Sequence, residues 1–110
     1  RVVGIYAGEE SPFGSRLGIR LPSGKPWGVA TSSGRIGPSL SFGKANAVTI
    51  ISGSSSLADA WATRIGNQVK NKKDIERVLM SCEKNPDILG VVIICDDLMG
   101  VRGEVNLVKL

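Results

Sequence analysis

The stretch GVATSSGRIGPSLSFGKANAVTIISGSSSLADAWATRIGNQV, residues 28–69, decides the fold because it joins a loop, a strand and a helix. A strand is predicted over residues 45–52, where β-prone residues are followed by Gly53 and three serines. A helix is predicted over residues 57–69, because apolar residues recur there at helical spacing. The residues of its apolar face are Leu57, Ala58, Trp61, Ala62, Ile65 and Val69.

The sequence on either side predicts further strands and a second helix. The apolar run LGVVIIC, residues 89–95, is typical of a central strand that is covered on both faces. The other predicted elements are strands over residues 2–6, 16–21 (paired with the first), 27–30 and 105–110, a helix over residues 73–84, and a loop over residues 96–103. The fold class is therefore α+β, with a largely antiparallel sheet and both helices packed on one side of it.

Composition narrows the classes of function. The chain has 110 residues, enough for one domain. It has no histidine, and its two cysteines are not a CxxC pair, which excludes Cys/His zinc sites and histidine-based catalysis. A net charge of +4 permits binding to phosphates, but 5% aromatic residues and no long basic run argue against nucleic-acid binding. Because no apolar run is long enough for a membrane span and residues 1–20 lack signal-peptide features, we expect a cytoplasmic protein that does not enter the membrane.

Residues 28–44 have the composition of an anion-binding loop. Hydroxyl groups alternate with glycines, so that backbone N–H groups are accessible, and cations are available to offset a ligand's charge. The residues are Thr31, Ser32, Ser33, Ser39 and Ser41, with Gly28, Gly34, Gly37 and Gly43, and the cations Arg35 and Lys44. This pattern predicts a site for a small phosphate-bearing ligand. The alternative is a long surface connection whose serines and glycines only turn the chain.

Three segments carry a resemblance to a known group: ATSSGRIGPSLSFGKANAV, SSLADAWATRIGNQV and LGVVIICDDLMGVRGEVNLVKL. They resemble the C-terminal half of an uncharacterised prokaryotic family related to the ApbE flavin transferases. The resemblance implies an ApbE-like, T-fold-type domain of which residues 1–110 form the second half. This agrees with a chain that starts without methionine, as a fragment or processed half would. The expected partners are the N-terminal half of the same protein and further copies in a homo-oligomer.

The resemblance also implies roles for particular residues. ApbE enzymes move FMN from FAD onto a protein threonine with the help of Mg²⁺. Their ADALATA-type motif resembles ADAWAT at residues 58–63, which makes Asp59 and Thr63 the implied Mg²⁺ ligands. Their TSG-type loop is similar to residues 31–34, including Gly34, which implies a place near FAD or FMN for that loop. The residues themselves leave one alternative open, because Ser56 and Asp59 fit the S-x-x-D variant of a helix capping box.

The chain departs from the ApbE pattern in one segment. ApbE enzymes carry an H-x-I-D-P-type segment after the loop, whereas residues 39–44 read SLSFGK. Pro38 and Asn46 stand where the uncharacterised relatives usually have histidine and aspartate. No residue is assigned as a general base, and the type of catalysis, if any, is left open. Two functions follow: a nucleotide-binding domain with flavin or nucleotidyl transferase activity, or a non-enzymatic, degenerate binding or assembly module, for which relatives suggest a role in sulfur assimilation.

Overall fold

Two antiparallel sheets and two helices form three layers in the computed structural model, which describes residues 2–5, 17–33, 46–95 and 97–110. A short 3₁₀ turn, Lys72–Asp74, precedes the second helix. The elements are β1 (Val2–Ile5), β2 (Leu17–Arg20), β3 (Gly28–Ser33), β4 (Asn46–Ser52), α1 (Ser55–Gly66), α2 (Ile75–Glu83), β5 (Gly90–Cys95), β6 (Leu98–Gly103) and β7 (Leu107–Lys109).

The larger sheet has the strand order β3-β4-β5-β6, and every neighbouring pair in it is antiparallel. The smaller sheet has the order β1-β2-β7, also antiparallel, so the predicted pairing of the first two strands is confirmed. The sequence predicted a single sheet, and this part of the prediction is wrong. The last strand, β7, pairs with β2 and not with β6, the strand immediately before it in the chain.

The larger sheet is covered on both faces because alternate residues of its central strands point in opposite directions. Val48 and Ile50 pack with both helices in one buried cluster. Ala47 and Ile51 pack with the smaller sheet in a second cluster, together with Ile94 of β5. All six residues of β5 are buried, which confirms the prediction of a central strand. The α+β class and the placement of both helices on one side are confirmed as well.

Strand β6 corrects the predicted loop over residues 96–103. Cys95 pairs with Leu98, so only residues 96 and 97 separate the two strands of the hairpin. Gly100, within the predicted loop, lies under α2. A Cβ atom there would come within 2.6 Å of side-chain atoms of Ile75 and Leu79. Glycine therefore lets the helix approach the strand closely.

Both helices are shorter than predicted, and α2 covers Ile75–Glu83 of the predicted residues 73–84. Helix α1 begins at Ser55 and ends at Gly66, three residues before the predicted end at Val69, which is nevertheless buried. Leu57, assigned to its apolar face, is 40% exposed. Among the described residues, no helix is long and apolar enough to cross a membrane.

Candidate functional site

Strand β3 takes up the first part of the predicted anion-binding loop, which corrects that prediction. Thr31, Ser32 and Ser33 are paired in register with Thr49, Val48 and Ala47 of β4. The hydroxyl-rich sequence suggested a loop, but threonine is β-branched and suits a strand. Alternate residues of this segment therefore direct their backbone N–H groups to β4, and the others direct them to the open edge of the sheet. Within the described part of the chain, β3 has no strand on its other side and forms an edge of the larger sheet.

The two predicted ligand residues Thr31 and Ser32 lie on opposite faces of this sheet. Val29 packs toward the smaller sheet, whereas Ala30 packs against the helices. Because side chains alternate along a strand, Thr31 is on the same face as Val29, and Ser32 is on the same face as Ala30. The Thr31 hydroxyl is 2.8 Å from that of Thr49, which is buried. Thr31 thus has a structural partner, and Ser32 shares a face with α1. The alternation could have been predicted from sequence once the strand was extended to residue 33.

The other residues predicted to bind the ligand are Gly34, Ser39, Ser41 and Lys44, with Arg35 beside them. They lie outside the residues that the structure describes.

Helix α1 begins against the first residue of β3. A Cβ atom on Gly28 would come within 2.0 Å of the backbone carbon and oxygen of Ser54. From this contact the helix packs over β3 and β4, and its own residues Ala58, Ala62 and Ile65 are buried against the sheet. Thr63 lies roughly 13 Å along α1 from Ser54, and Ser32 lies roughly 13 Å along β3 from Gly28, by the rise per residue of a helix and of a strand. The two residues are therefore at a similar distance from the contact between Gly28 and Ser54.

The capping interpretation of Asp59 is wrong. The N-cap is Ser54, whose hydroxyl accepts a hydrogen bond from the Leu57 amide at 3.2 Å. Asp59 therefore lies in the second turn of the helix, beyond the position of a capping acid. Both Asp59 and Thr63 are exposed, and neither side chain forms a hydrogen bond or ion pair with any residue that the structure describes.

Asp59 and Thr63 lie on the flank of α1 that faces the edge strand β3. Each follows a buried alanine by one position, which places both on the same side of the apolar face. Trp61 lies on the other flank, where its indole Nε1–H donates to the Asp87 carboxylate at 3.2 Å. Asp87 precedes β5, on the side of β4 away from β3. The carboxylate and hydroxyl are thus beside the edge of the sheet.

The donor set of this flank fits Mg²⁺. The ion prefers oxygen ligands, keeps several waters and is commonly bound through one or two carboxylates with substrate phosphates. Asp59 and Thr63 offer oxygens that no described residue uses. The described residues include no group of three or more His, Cys, Asp or Glu arranged to hold a metal ion. An ion held here would take two ligands from these described residues, and its remaining positions would be open to other groups, water and phosphate.

Two groups with displaced pKa values lie elsewhere. Burial raises the pKa of the Cys82 thiol, and both Cys82 and Cys95 are buried. The Lys70 backbone N–H, 2.8 Å from the Asp74 carboxylate, contributes most to holding the pKa of Asp74 below 3.8. Burial opposes this effect, and Arg77 and the Asn71 N–H add to it. The Asp74 carboxylate caps the 3₁₀ turn before α2 through its hydrogen bonds. Neither it nor the two cysteines belongs to the candidate site.

Comparison with known proteins identifies the family. A family model described as AbpE bacteria, AbpE_bact, matches residues 1–100. The chain belongs to the AbpE_bact family. This membership supports the resemblance to an uncharacterised, ApbE-related group.

Curated relatives of this AbpE_bact chain carry the name UPF0280 protein. The chain is 42% identical over 106 residues to one from Methanosarcina barkeri, covering 94% of the chain and 41% of the relative. It is 39% identical over 107 residues to one from Methanothermobacter thermautotrophicus, with coverages of 94% and 41%. For one from Methanocaldococcus jannaschii, identity is 37% over 115 residues, with coverages of 98% and 47%. The chain therefore spans less than half the length of these relatives.

Proposed function

We propose that this chain is the C-terminal half of an ApbE-like, T-fold-type domain that binds a phosphate-bearing ligand with Mg²⁺. The ligand class is a flavin, FAD or FMN, or another nucleotide. Asp59 and Thr63 hold the metal ion. The N-terminal half of the same protein completes the site, within a cytoplasmic homo-oligomer.

The free flank of α1 is the observation that carries this proposal. An aspartate that caps its own helix needs no further explanation, but Ser54 is the cap and Asp59 has no described partner. Thr63 lies one turn further on the same flank. The Asp59 carboxylate and the Thr63 hydroxyl share a helix face and make no hydrogen bond to a described residue, so both are available to a ligand.

The edge strand β3 supplies the second part of the proposed site. Ser32 is on the same face of the sheet as α1. By the helix and strand rises, it lies about as far from the contact between Gly28 and Ser54 as Thr63 does. The chain continues from Ser33 into the glycine- and hydroxyl-rich residues 34–44, which include Lys44. This segment would bring hydroxyls and a cation toward a phosphate group near Asp59 and Thr63.

Flavin or nucleotidyl transfer is the reaction class that suits such a site. Phosphoryl chemistry depends mainly on positioning and on neutralising charge, and a bound Mg²⁺ would supply charge neutralisation. Asp59 and Thr63 would position the ion, while Ser32 and Lys44 would orient the phosphate. No residue of this chain is assigned as a general base.

The absence of histidine from the chain favours a second candidate function. A degenerate member of the family would keep the fold and act as a binding or assembly module, with sulfur assimilation as a candidate setting. It would need neither Mg²⁺ nor nucleotide.

A ligand screen separates the two candidates. Melting temperatures of the full-length protein would be measured with FAD, FMN, ATP and ADP, each with and without Mg²⁺. A ligand that binds only the folded state raises the melting temperature by an amount that grows with the ratio of its concentration to its Kd. We expect one of the four ligands to give a rise that depends on Mg²⁺. Unchanged melting temperatures with all four would reject the nucleotide site in favour of the binding module.

A further inference from the structure

A groove lies on the opposite face of the larger sheet from α1. Its volume is about 740 Å³, and it runs between the turn after β2 and the segment that joins β6 to β7. Its lining includes Arg20, Leu21, Lys25, Trp27, Glu104 and Asn106. A volume of this size accommodates a small organic molecule. We call it the Trp27 groove.

Hydrogen bonds connect and hold the walls of the Trp27 groove. The Arg20 N–H donates to the carbonyl of Asn106 at 2.9 Å, which ties one wall to the other. The Trp27 indole N–H donates to the carbonyl of Pro22 at 3.0 Å, which fixes the ring relative to its own turn. On the second wall, the Glu104 N–H donates to the carbonyl of Leu89 at 2.8 Å. The groove is therefore formed before any ligand arrives.

The floor of the groove is apolar and includes an aromatic ring. Leu21 is buried, and Trp27 and Val105 are half-buried, packed against the cluster between the two sheets. Trp27 presents the rest of its ring to the groove. A flat ring of a ligand could stack on it or meet it edge to face.

The charges of the groove are mainly positive and unpaired. Arg20 and Lys25 are exposed, and neither forms an ion pair with any residue in the described ranges. The Lys25 ammonium lies 5.7 Å from the centre of the Trp27 ring, a cation–π distance. Glu104 contributes the one negative charge among the lining residues. Two cations beside an aromatic floor favour a ligand that combines a ring with an anionic group.

We propose that the Trp27 groove binds a small aromatic anion, a flat ring that carries a phosphate or carboxylate group. The ring packs on Trp27, while Lys25 and Arg20 bind the anionic group through charge-assisted hydrogen bonds. Glu104 opposes the binding of anions and sets a limit on the charge that the groove accepts. The proposal is independent of the site on α1, because the sheet separates the two.

The test follows the Trp27 indole N–H signal in proton–nitrogen NMR spectra of the full-length protein. Trp27→Phe assigns this signal, and the Trp61 signal reports on the α1 side. Phenyl phosphate and benzoate are the probes, and phenol and inorganic phosphate are the matched controls. We expect a saturable shift of the Trp27 signal with at least one probe, no shift at Trp61, and far weaker effects of both controls. The better probe identifies the anionic group.

Charge variants test the same proposal in a second way. Lys25→Gln and Arg20→Gln should each weaken binding of the better probe about tenfold. Glu104→Gln should strengthen it, whereas Lys73→Gln, an exposed lysine outside the groove, should leave it unchanged. Equal binding of phenol and phenyl phosphate, or no saturable shift at Trp27, would overturn the proposal. Asp59→Asn should not change the response, so failure here is distinguishable from failure of the Mg²⁺ site.

Discussion

The hydroxyl of Ser54 determines where α1 begins, since it accepts the hydrogen bond of the Leu57 amide. The Ser56 hydroxyl is 3.3 Å from that of Ser54 and lies within the first turn. The consequence at the residue scale concerns Asp59. A capping role would have bound its carboxylate to the helix backbone, and the observed cap leaves the carboxylate free for another partner.

Serine-to-alanine variants test the position of the cap. Ser54→Ala should lower the free energy of unfolding by about 1 kcal/mol, because an N–H at the helix start loses its acceptor. Ser56→Ala is the matched control and should change it by less than about 0.5 kcal/mol. Urea unfolding followed by circular dichroism measures both. A larger loss for Ser56→Ala than for Ser54→Ala would contradict the observed start of α1.

Asp74 predicts a dependence of stability on pH. Its carboxylate accepts hydrogen bonds from the Lys70 and Asn71 N–H groups and lies 3.3 Å from Arg77, so its pKa is lowered from 3.8 on folding. A lowered pKa contributes stability that is complete above the unfolded-state value and is lost as pH falls through the folded-state value. Asp74→Asn should therefore destabilise the protein near neutral pH, by an amount that shrinks below pH 3.8.

Urea unfolding at a series of pH values checks this expectation. Glu76→Gln is the matched control, because it also removes a carboxylate at the start of α2, but an exposed one in the first turn that accepts no hydrogen bond from a described residue. A constant difference between wild type and Asp74→Asn across the acidic range would contradict the role assigned to the carboxylate.

At the scale of elements, β3 approaches the start of α1 so closely at Gly28 that a Cβ atom there would come within 2.0 Å of the Ser54 backbone. Gly28 touches the backbone of Ser54, and the backbone of a cap residue cannot turn aside as a flexible side chain can. This contact sets how α1 lies along the strand, and with it the distance from Asp59 and Thr63 to the edge of β3. Glycine is required at this position for close approach.

Alanine substitution of two glycines tests that contact. Gly28→Ala should lower the free energy of unfolding by about 3 kcal/mol or more, since either the strand or the helix start must move. Gly53→Ala is the matched control, because a Cβ atom there meets nothing within 4 Å. Thermal unfolding measures both variants. Similar melting temperatures for the two would show that α1 does not depend on the close approach at Gly28.

Local patterns predicted which segments form elements, but not how all of those elements pair. The apolar run of β5 and the spacing of α1 were sufficient, because a strand buried on both faces and an amphipathic helix each have a periodic signal. The split into two sheets was missed, since pairing of β2 with β7 joins segments from opposite ends of the chain. Strand β6 was missed because Gly100 is a strand residue that is required for the close approach of α2, and this contact is not visible in the local sequence. For the candidate site, the spacing of four residues predicted that Asp59 and Thr63 share a helix face. Thr31 and Ser32 were predicted to bind one ligand together, because β3 was predicted to end at residue 30 and their alternation in a strand was missed.

At the scale of the whole molecule, this chain is a part of what its relatives contain. It spans less than half the length of the UPF0280 proteins that it matches. Within the described residues, β3 is an edge of the larger sheet. We expect the proposed N-terminal half to pack near β3, where it would enclose Asp59 and Thr63 and supply further groups to the ligand.

The most direct test of the central claim is calorimetric titration of the full-length protein with whichever of FAD, FMN, ATP and ADP raises its melting temperature, with and without Mg²⁺. Asp59→Asn removes the charge of the proposed metal ligand, and Glu76→Gln is the matched control on α2. We predict binding by the wild type and the control that requires Mg²⁺, and a loss of at least about tenfold in affinity for Asp59→Asn, which corresponds to about 1.4 kcal/mol. Equal, Mg²⁺-dependent affinities of all three proteins would contradict the assignment of Asp59.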